Sequence, residues 1–142
     1  MKAITDLLFT AAATTGGITV RTGVSYLPEQ SSPRAGRWFW AYHIRIENNS
    51  ARAVKLMTRR WVITDGRGAR SLVEGEGVIG EQPLLPPGQS YDYVSGCPLS
   101  TPLGRMEGSY GLVDDEGGTL SVTIPRFELV APEEARNGDV AG

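Results

Sequence analysis

Arg37-Trp38-Phe39-Trp40-Ala41-Tyr42-His43-Ile44-Arg45-Ile46-Glu47 is the most regularly alternating segment of the chain. Trp38, Trp40, Tyr42, Ile44 and Ile46 occupy every second position, and Arg37, Phe39, Ala41, His43, Arg45 and Glu47 fill the alternate ones. That period of two belongs to a strand with one buried face. The first set is the expected core face.

Working outward, Gly16 to Tyr26 alternates Ile18 and Val20 with Thr19 and Arg21, and reads as an earlier strand. Pro28-Glu29-Gln30-Ser31-Ser32-Pro33 separates the two as a loop, since neither proline can serve a central ladder. On the other side, Asn48-Asn49-Ser50 tolerates left-handed backbone, so a hairpin into Val54 to Asp65 is expected. Along that strand Val54 and Leu56 are out of phase with Trp61 and Ile63, which predicts a β-bulge near Met57-Thr58. Asp65-Gly66-Arg67-Gly68 reads as a tight turn into Ser71 to Val78, and Pro86-Pro87-Gly88 as a type II turn into Ser90 to Ser95. Arg105 to Asp114, the turn Asp115-Glu116-Gly117-Gly118, and Leu120 to Ile124 form a last hairpin that Pro125 is expected to end.

About seven strands at turn-like spacing predict an all-β chain, an antiparallel β-sandwich of immunoglobulin or fibronectin type III kind, with a closed barrel as the alternative. The expected organisation is an N-terminal arm over 1–15, helical or frayed, the sandwich over 16–130, and a disordered tail over 131–142. With 142 residues, one such domain buries roughly 68–70% of its unfolded surface without staples. Eighteen glycines and nine prolines spread along the chain supply the turns.

The net charge of -2 and pI near 5.4 give no electrostatic footprint for nucleic acid or an anionic membrane. No apolar run reaches the eighteen or so residues of a membrane span. Met1-Lys2 before Leu7 to Ala13 faintly resembles a secretory signal, but Asp6 interrupts the apolar stretch. A single cysteine, Cys97, suits a reducing compartment, so the cytoplasm is the expected location.

Glu74-Gly75-Glu76-Gly77-Val78-Ile79-Gly80-Glu81 contains G-x-G-x-x-G. In a dinucleotide fold such glycines bring the backbone against a pyrophosphate that sits on the next helix N-terminus. Here Pro83, Pro86, Pro87 and Gly88 forbid a useful helix, and Glu74, Glu76 and Glu81 would face the phosphate. The glycines are therefore expected to bend a strand, while a nest of amides at Gly75, Gly77, Gly80 and Glu81 remains open as a site for a small anion or a partner.

Several linked blocks carry a family resemblance: Phe39 to Ser50, Arg60-Trp61-Val62-Ile63-Thr64-Asp65, Gly75 to Pro83, Ser95-Gly96-Cys97-Pro98-Leu99, Thr101-Pro102, and Met106-Glu107-Gly108-Ser109-Tyr110. Together, over about residues 17 to 129, they resemble the ApaG domain family. The resemblance implies a fibronectin-type sandwich, an association with cobalt and magnesium resistance in bacteria, and a protein-interaction role for the same domain in eukaryotic proteins. It implies no established enzymatic activity, and the residues themselves lead to no expected cofactor or metal ligand.

Other candidate chemistry is thin. His43, the only histidine, shares a strand face with Arg45 and Glu47 and lacks further ligands nearby in sequence. Cys97 is expected to be structural rather than a nucleophile. Asp114, Asp115 and Glu116 lack the spacing of a calcium loop, and Arg59 and Arg60 point to opposite faces of a strand, so they cannot grip one anion. The leading expectation is a non-catalytic binding module, with Gly75, Gly77, Gly80 and Glu81 in one partner-binding loop and Gly96, Cys97, Pro98 and Thr101 in a second. The alternatives are a phosphate, nucleotide or divalent-metal sensor using the glycine loop, and, last, a metal-assisted phosphate-ester hydrolase. Open sheet edges are compatible with an isologous homodimer, with a protected monomer as the alternative.

Overall fold

A computed structural model describes residues 8–137. Among the described residues the nine strands are β1 (Ala11–Thr15), β2 (Ile18–Tyr26), β3 (Trp38–Asn48), β4 (Val54–Asp65), β5 (Arg70–Glu76), β6 (Leu84–Leu85), β7 (Ser90–Leu99), β8 (Leu103–Asp114) and β9 (Thr119–Val130). They form two antiparallel sheets, one ordered β1-β2-β3-β7 and the other β5-β4-β8-β9 with β6 beside β4. This is the expected β-sandwich.

β3 is the central strand its alternation promised. Trp38, Trp40, Tyr42, Ile44 and Ile46 are all buried, and their partners across the core include Trp61, Tyr110, Leu112, Val122, Ile124, Phe127 and Leu129. Trp61 of β4 meets Tyr42 of β3 edge-on at 5.3 Å between ring centres and Phe127 of β9 at 5.9 Å. Edge-to-face contacts of this kind tie the two sheets beyond simple area burial. The β4 register slips between Leu56 and Thr58 against β8, so the bulge lies where the phase change in sequence placed it.

Five expectations are corrected. First, the arm is partly sheet: Ala11–Thr15 pairs with Ile18–Thr22 as an edge strand, while residues 1–7, with the signal-like start, lie outside the described residues. Second, Asn48-Asn49-Ser50 makes no hairpin, because β3 and β4 belong to different sheets and the segment crosses between them. The Asn48 side chain holds the crossing, donating to the carbonyls of Arg52 (2.7 Å) and Leu85 (2.8 Å) and accepting from the Ser50 amide (3.0 Å). Third, β7 does not stop at Ser95 but runs on through Gly96, Cys97 and Pro98 to Leu99. Fourth, β9 passes through Pro125, where its register against β8 shifts between Met106 and Gly108; a proline is tolerated at a bulge on an edge strand. Fifth, the first part of the tail is packed: Ala131 is buried, Glu133–Ala135 forms a 3-10 turn, and Trp38 Nε1 donates to the Ala135 carbonyl at 2.5 Å. Residues 138–142, the rest of the expected disordered tail, lie outside the described residues. Among the described residues no helix is long and apolar enough to cross a membrane.

Candidate functional site

The glycine loop begins inside a strand. Gly75 sits in β5 opposite Arg59 of β4, and a side chain at Gly75 would come within 2.8 Å of the Arg59 guanidinium. The bare glycine lets Arg59 cross β5 and donate through Nη1 to the carbonyls of Glu76 (2.9 Å) and Gly77 (3.0 Å). The β4 bulge supplies the loop's other anchor: the Met57 carbonyl accepts from the Gly77 amide (2.9 Å) and from Gln82 Nε2 (3.0 Å). Gly77 has φ 63°, and a Cβ there would lie 2.1 Å from the Glu81 carbonyl oxygen. Glycine is required at Gly77, by its φ and by the backbone it meets, whereas at Gly75 it leaves the space that the Arg59 guanidinium occupies.

Val78 and Glu81 then exchange amide-to-carbonyl bonds of 2.8 and 2.9 Å around Ile79 and Gly80. Both central residues have positive φ, 43° and 81°, which defines a type I′ turn. Val78 is wholly buried and fixes the loop to the core, whereas Ile79 at the tip is 57% exposed. No helix follows Gly80; the chain passes to the two-residue strand β6. The amides of Gly77, Val78 and Glu81 donate within the protein, and the Arg59 Nη1 group is engaged by loop carbonyls. The loop is thus a hairpin tip whose Gly77 and Glu81 amides are used in holding the loop itself in place.

Gly96, Cys97 and Pro98 do not form the second loop expected for them. They lie in β7 opposite Ala41, Trp40 and Phe39. Cys97 is 2% exposed and burial pushes its thiol up to about 11, the reverse of what a nucleophile needs. Thr101 is buried too, and its hydroxyl accepts from the Gly66 amide (2.8 Å) and donates to the Leu103 carbonyl (2.7 Å), stapling the Asp65–Gly68 turn to the start of β8.

His43 lies on the outer face of β3 opposite Val94 and Gly23. Its same-face neighbour Arg45 is paired with Asp92 (2.6 Å) and stacks over the Phe9 ring, and Arg21 is paired with Glu47 (3.0 Å). Asp114 accepts the amides of Glu116 (2.9 Å) and Gly118 (2.8 Å), and Arg52 reaches Glu116 at 2.7 Å, which makes a charged surface turn. Among the described residues no three His, Cys, Asp or Glu side chains gather as a metal site requires. Arg59 and Arg60 do point to opposite faces. Arg60 stands in an open hollow of about 450 Å³ on the outer side of the five-stranded sheet, with Thr58, Ser109, Gly111 and Ser121.

Sequence reasoning missed a buried tyrosine pair. The hydroxyls of Tyr93 (β7) and Tyr110 (β8) bond to each other across the sheets, and burial raises both above the ordinary phenol range. Tyr93 falls in the strand read over Ser90 to Ser95, but nothing local could identify Tyr110 as its partner.

The ApaG domain family model matches residues 28–114. A Protein ApaG of Sinorhizobium fredii is 52% identical over 120 residues, covering 84% of this chain and 92% of the relative. Protein ApaG of a Bradyrhizobium strain is 47% identical over 124 residues, covering 87% and 95%. Among solved structures, that of an ApaA protein from Bordetella pertussis superposes with a TM-score of 0.79 at 42% identity, covering 82% of this chain and 94% of that one. The C-terminal domain of wzt, at 10% identity and a TM-score of 0.51, shares the fold alone.

Proposed function

The chain belongs to the ApaG domain family, and from that premise we propose that it is a non-catalytic protein-binding module whose contact element is the Gly75–Glu81 loop. The observation that carries this is Ile79. A β-branched residue in the left-handed region is disfavoured by about 1–2 kcal/mol, and this one also exposes its apolar side chain to water. Asparagine or glycine at the same place in a type I′ turn would remove both penalties. A hairpin anchored by Arg59 and the Met57 carbonyl that presents an apolar tip at the expense of its own stability suits a contact made with another protein. On this reading the module works in the cytoplasm, and its partner belongs to cobalt and magnesium handling, the process the family resemblance suggests.

The test is affinity capture from the native cell with the wild-type chain and with Ile79→Asn. The substitution is expected to stabilise the fold and to abolish capture of the partner. A partner retained equally by both proteins would rule the loop out. The competing role as an anion or cation sensor in the same loop is separated by calorimetry with inorganic pyrophosphate, magnesium and cobalt; heat that disappears in Gly77→Ala would favour it.

A further inference from the structure

The edges of the two sheets are not equally protected. β7 carries Pro98, β9 carries Pro125 at a bulge, and β1 is five residues long, whereas β5 has seven residues with no proline, no lysine and no register shift. Natural edges are normally blunted by such features or by charge, and the charges on β5, Arg70, Glu74 and Glu76, are of mixed sign, so they do not uniformly repel a second copy of the same edge. β5 is exposed almost throughout, with Leu72 53% and Val73 40% accessible.

Its free hydrogen-bonding groups follow from the ladder. The Asp65 amide donates to the Ala69 carbonyl and the Gly77 amide to the Met57 carbonyl, both at 2.9 Å, so both ends of β5 are in phase with β4. Antiparallel alternation then directs the backbone groups of Ser71, Val73 and Gly75 toward β4, and those of Arg70, Leu72 and Glu74 toward the open side. The side chains of these last three share the outer face of the sheet. Among the described residues neither Arg70 nor Glu74 has an ion-pair partner.

We propose that β5 pairs antiparallel with β5 of a second copy of this chain, about a two-fold axis at Leu72, joining the five-stranded sheets of two molecules edge to edge. In that register Leu72 faces the second copy's Leu72, and Arg70 faces the second copy's Glu74 on both sides of the axis. Opposite charges directly across an antiparallel pair attract, and like charges repel. The neighbouring register, centred on Val73, would set Leu72 against a glutamate and would need the Glu76 carbonyl, which already accepts from Arg59. An isologous contact of this kind closes after two copies. It goes beyond the binding role of the glycine loop and does not depend on it.

The test is sedimentation of the full chain over a concentration series. The wild type is expected to dimerise, and Arg70→Glu or Glu74→Arg alone to raise the dissociation constant at least about tenfold. The double variant Arg70→Glu/Glu74→Arg should restore it, since the pairs re-form with reversed sign. Under oxidation Leu72→Cys should cross-link to its own copy, because hydrogen-bonded antiparallel partners lie about 5.5 Å apart at Cα, within disulfide reach. Val73→Cys should not, and buried Cys97 serves as the internal control. A wild type that stays monomeric at every concentration would overturn the proposal. So would a dimer indifferent to both charge reversals, or one cross-linked only through Val73→Cys. Protection of the β5 amides from exchange only when cell extract is added would assign the edge to a foreign strand instead. Ile79→Asn should leave the dimer intact, which keeps this outcome separate from that of the loop.

Discussion

Among single residues, two have placements with measurable consequences for stability. Ile79 in the left-handed region is the first, and Ile79→Asn is expected to raise the unfolding free energy by about 1 kcal/mol, or the melting temperature by about 3 °C. Calorimetric melting of the two proteins checks it. Cys97 is the second. Burial lifts its pKa from the ordinary 9.0 to about 11, so the folded thiol keeps its proton in a window where the unfolded one loses it. A raised pKa means that the associated stability is complete below pH 9 and falls as pH rises from about 9 to about 11. The slope there is about 1.4 kcal/mol per pH unit, for a total of about 2–3 kcal/mol. The buried tyrosines add to the loss at higher pH. Urea midpoints across this window, compared between wild type and Cys97→Ser, isolate the thiol: the difference between the two proteins should shrink by that amount.

At the scale of elements, alternation was legible and sheet membership was not. The core face of β3 and the phase change at Met57 follow from side-chain order alone, because period two and a bulge are local properties of the backbone. Asn48-Asn49-Ser50 looks the same whether it turns a hairpin or crosses between sheets, since its residues suit both. What decides is the Asn48 amide, which reaches the Leu85 carbonyl from a segment far along the chain. Gly96-Cys97-Pro98 has the composition of a loop, yet Pro98 lies on an edge strand, where a missing donor is tolerated. Asn48 is fully buried, so Asn48→Ala should orphan two carbonyls and lower stability by about 3 kcal/mol, measured by denaturant unfolding. Asn49→Ala, at an exposed position, is the control and should change it little.

At the scale of the whole molecule, the two long sides of the sandwich differ. Along one, β1 and β2 lie against β9, and the Thr123 amide donates to Thr15 Oγ1 at 3.3 Å. Along the other, β5 and β7 are both edges with no further strand beside them among the described residues. Native-state hydrogen exchange is therefore expected to grade across the fold. The β3 amides, paired on both sides, should exchange only on global unfolding, while Arg70, Leu72 and Glu74 of β5 should exchange fastest among strand residues at low protein concentration. Equal protection of the two strands would contradict this. The glycine motif was legible as a backbone device because prolines and glutamates flank it. Its anchors were not, since Arg59 and the Met57 carbonyl reach it only once the bulge has turned β4.

The pairing of β3 with β7 also sets a clock. Trp38 to Glu47 find their second ladder only in Ser90 to Leu99, after the chain has crossed to the other sheet and back. Ribosomes add about 5–20 residues per second, so during synthesis the most aromatic strand of the protein waits several seconds with one edge unmatched. Pairing across such long sequence separation is slow in itself, in the range of milliseconds to seconds. The newborn chain thus passes through an interval in which β3 is its most adhesive element, and chaperones that recognise exposed aromatic segments have their opportunity there.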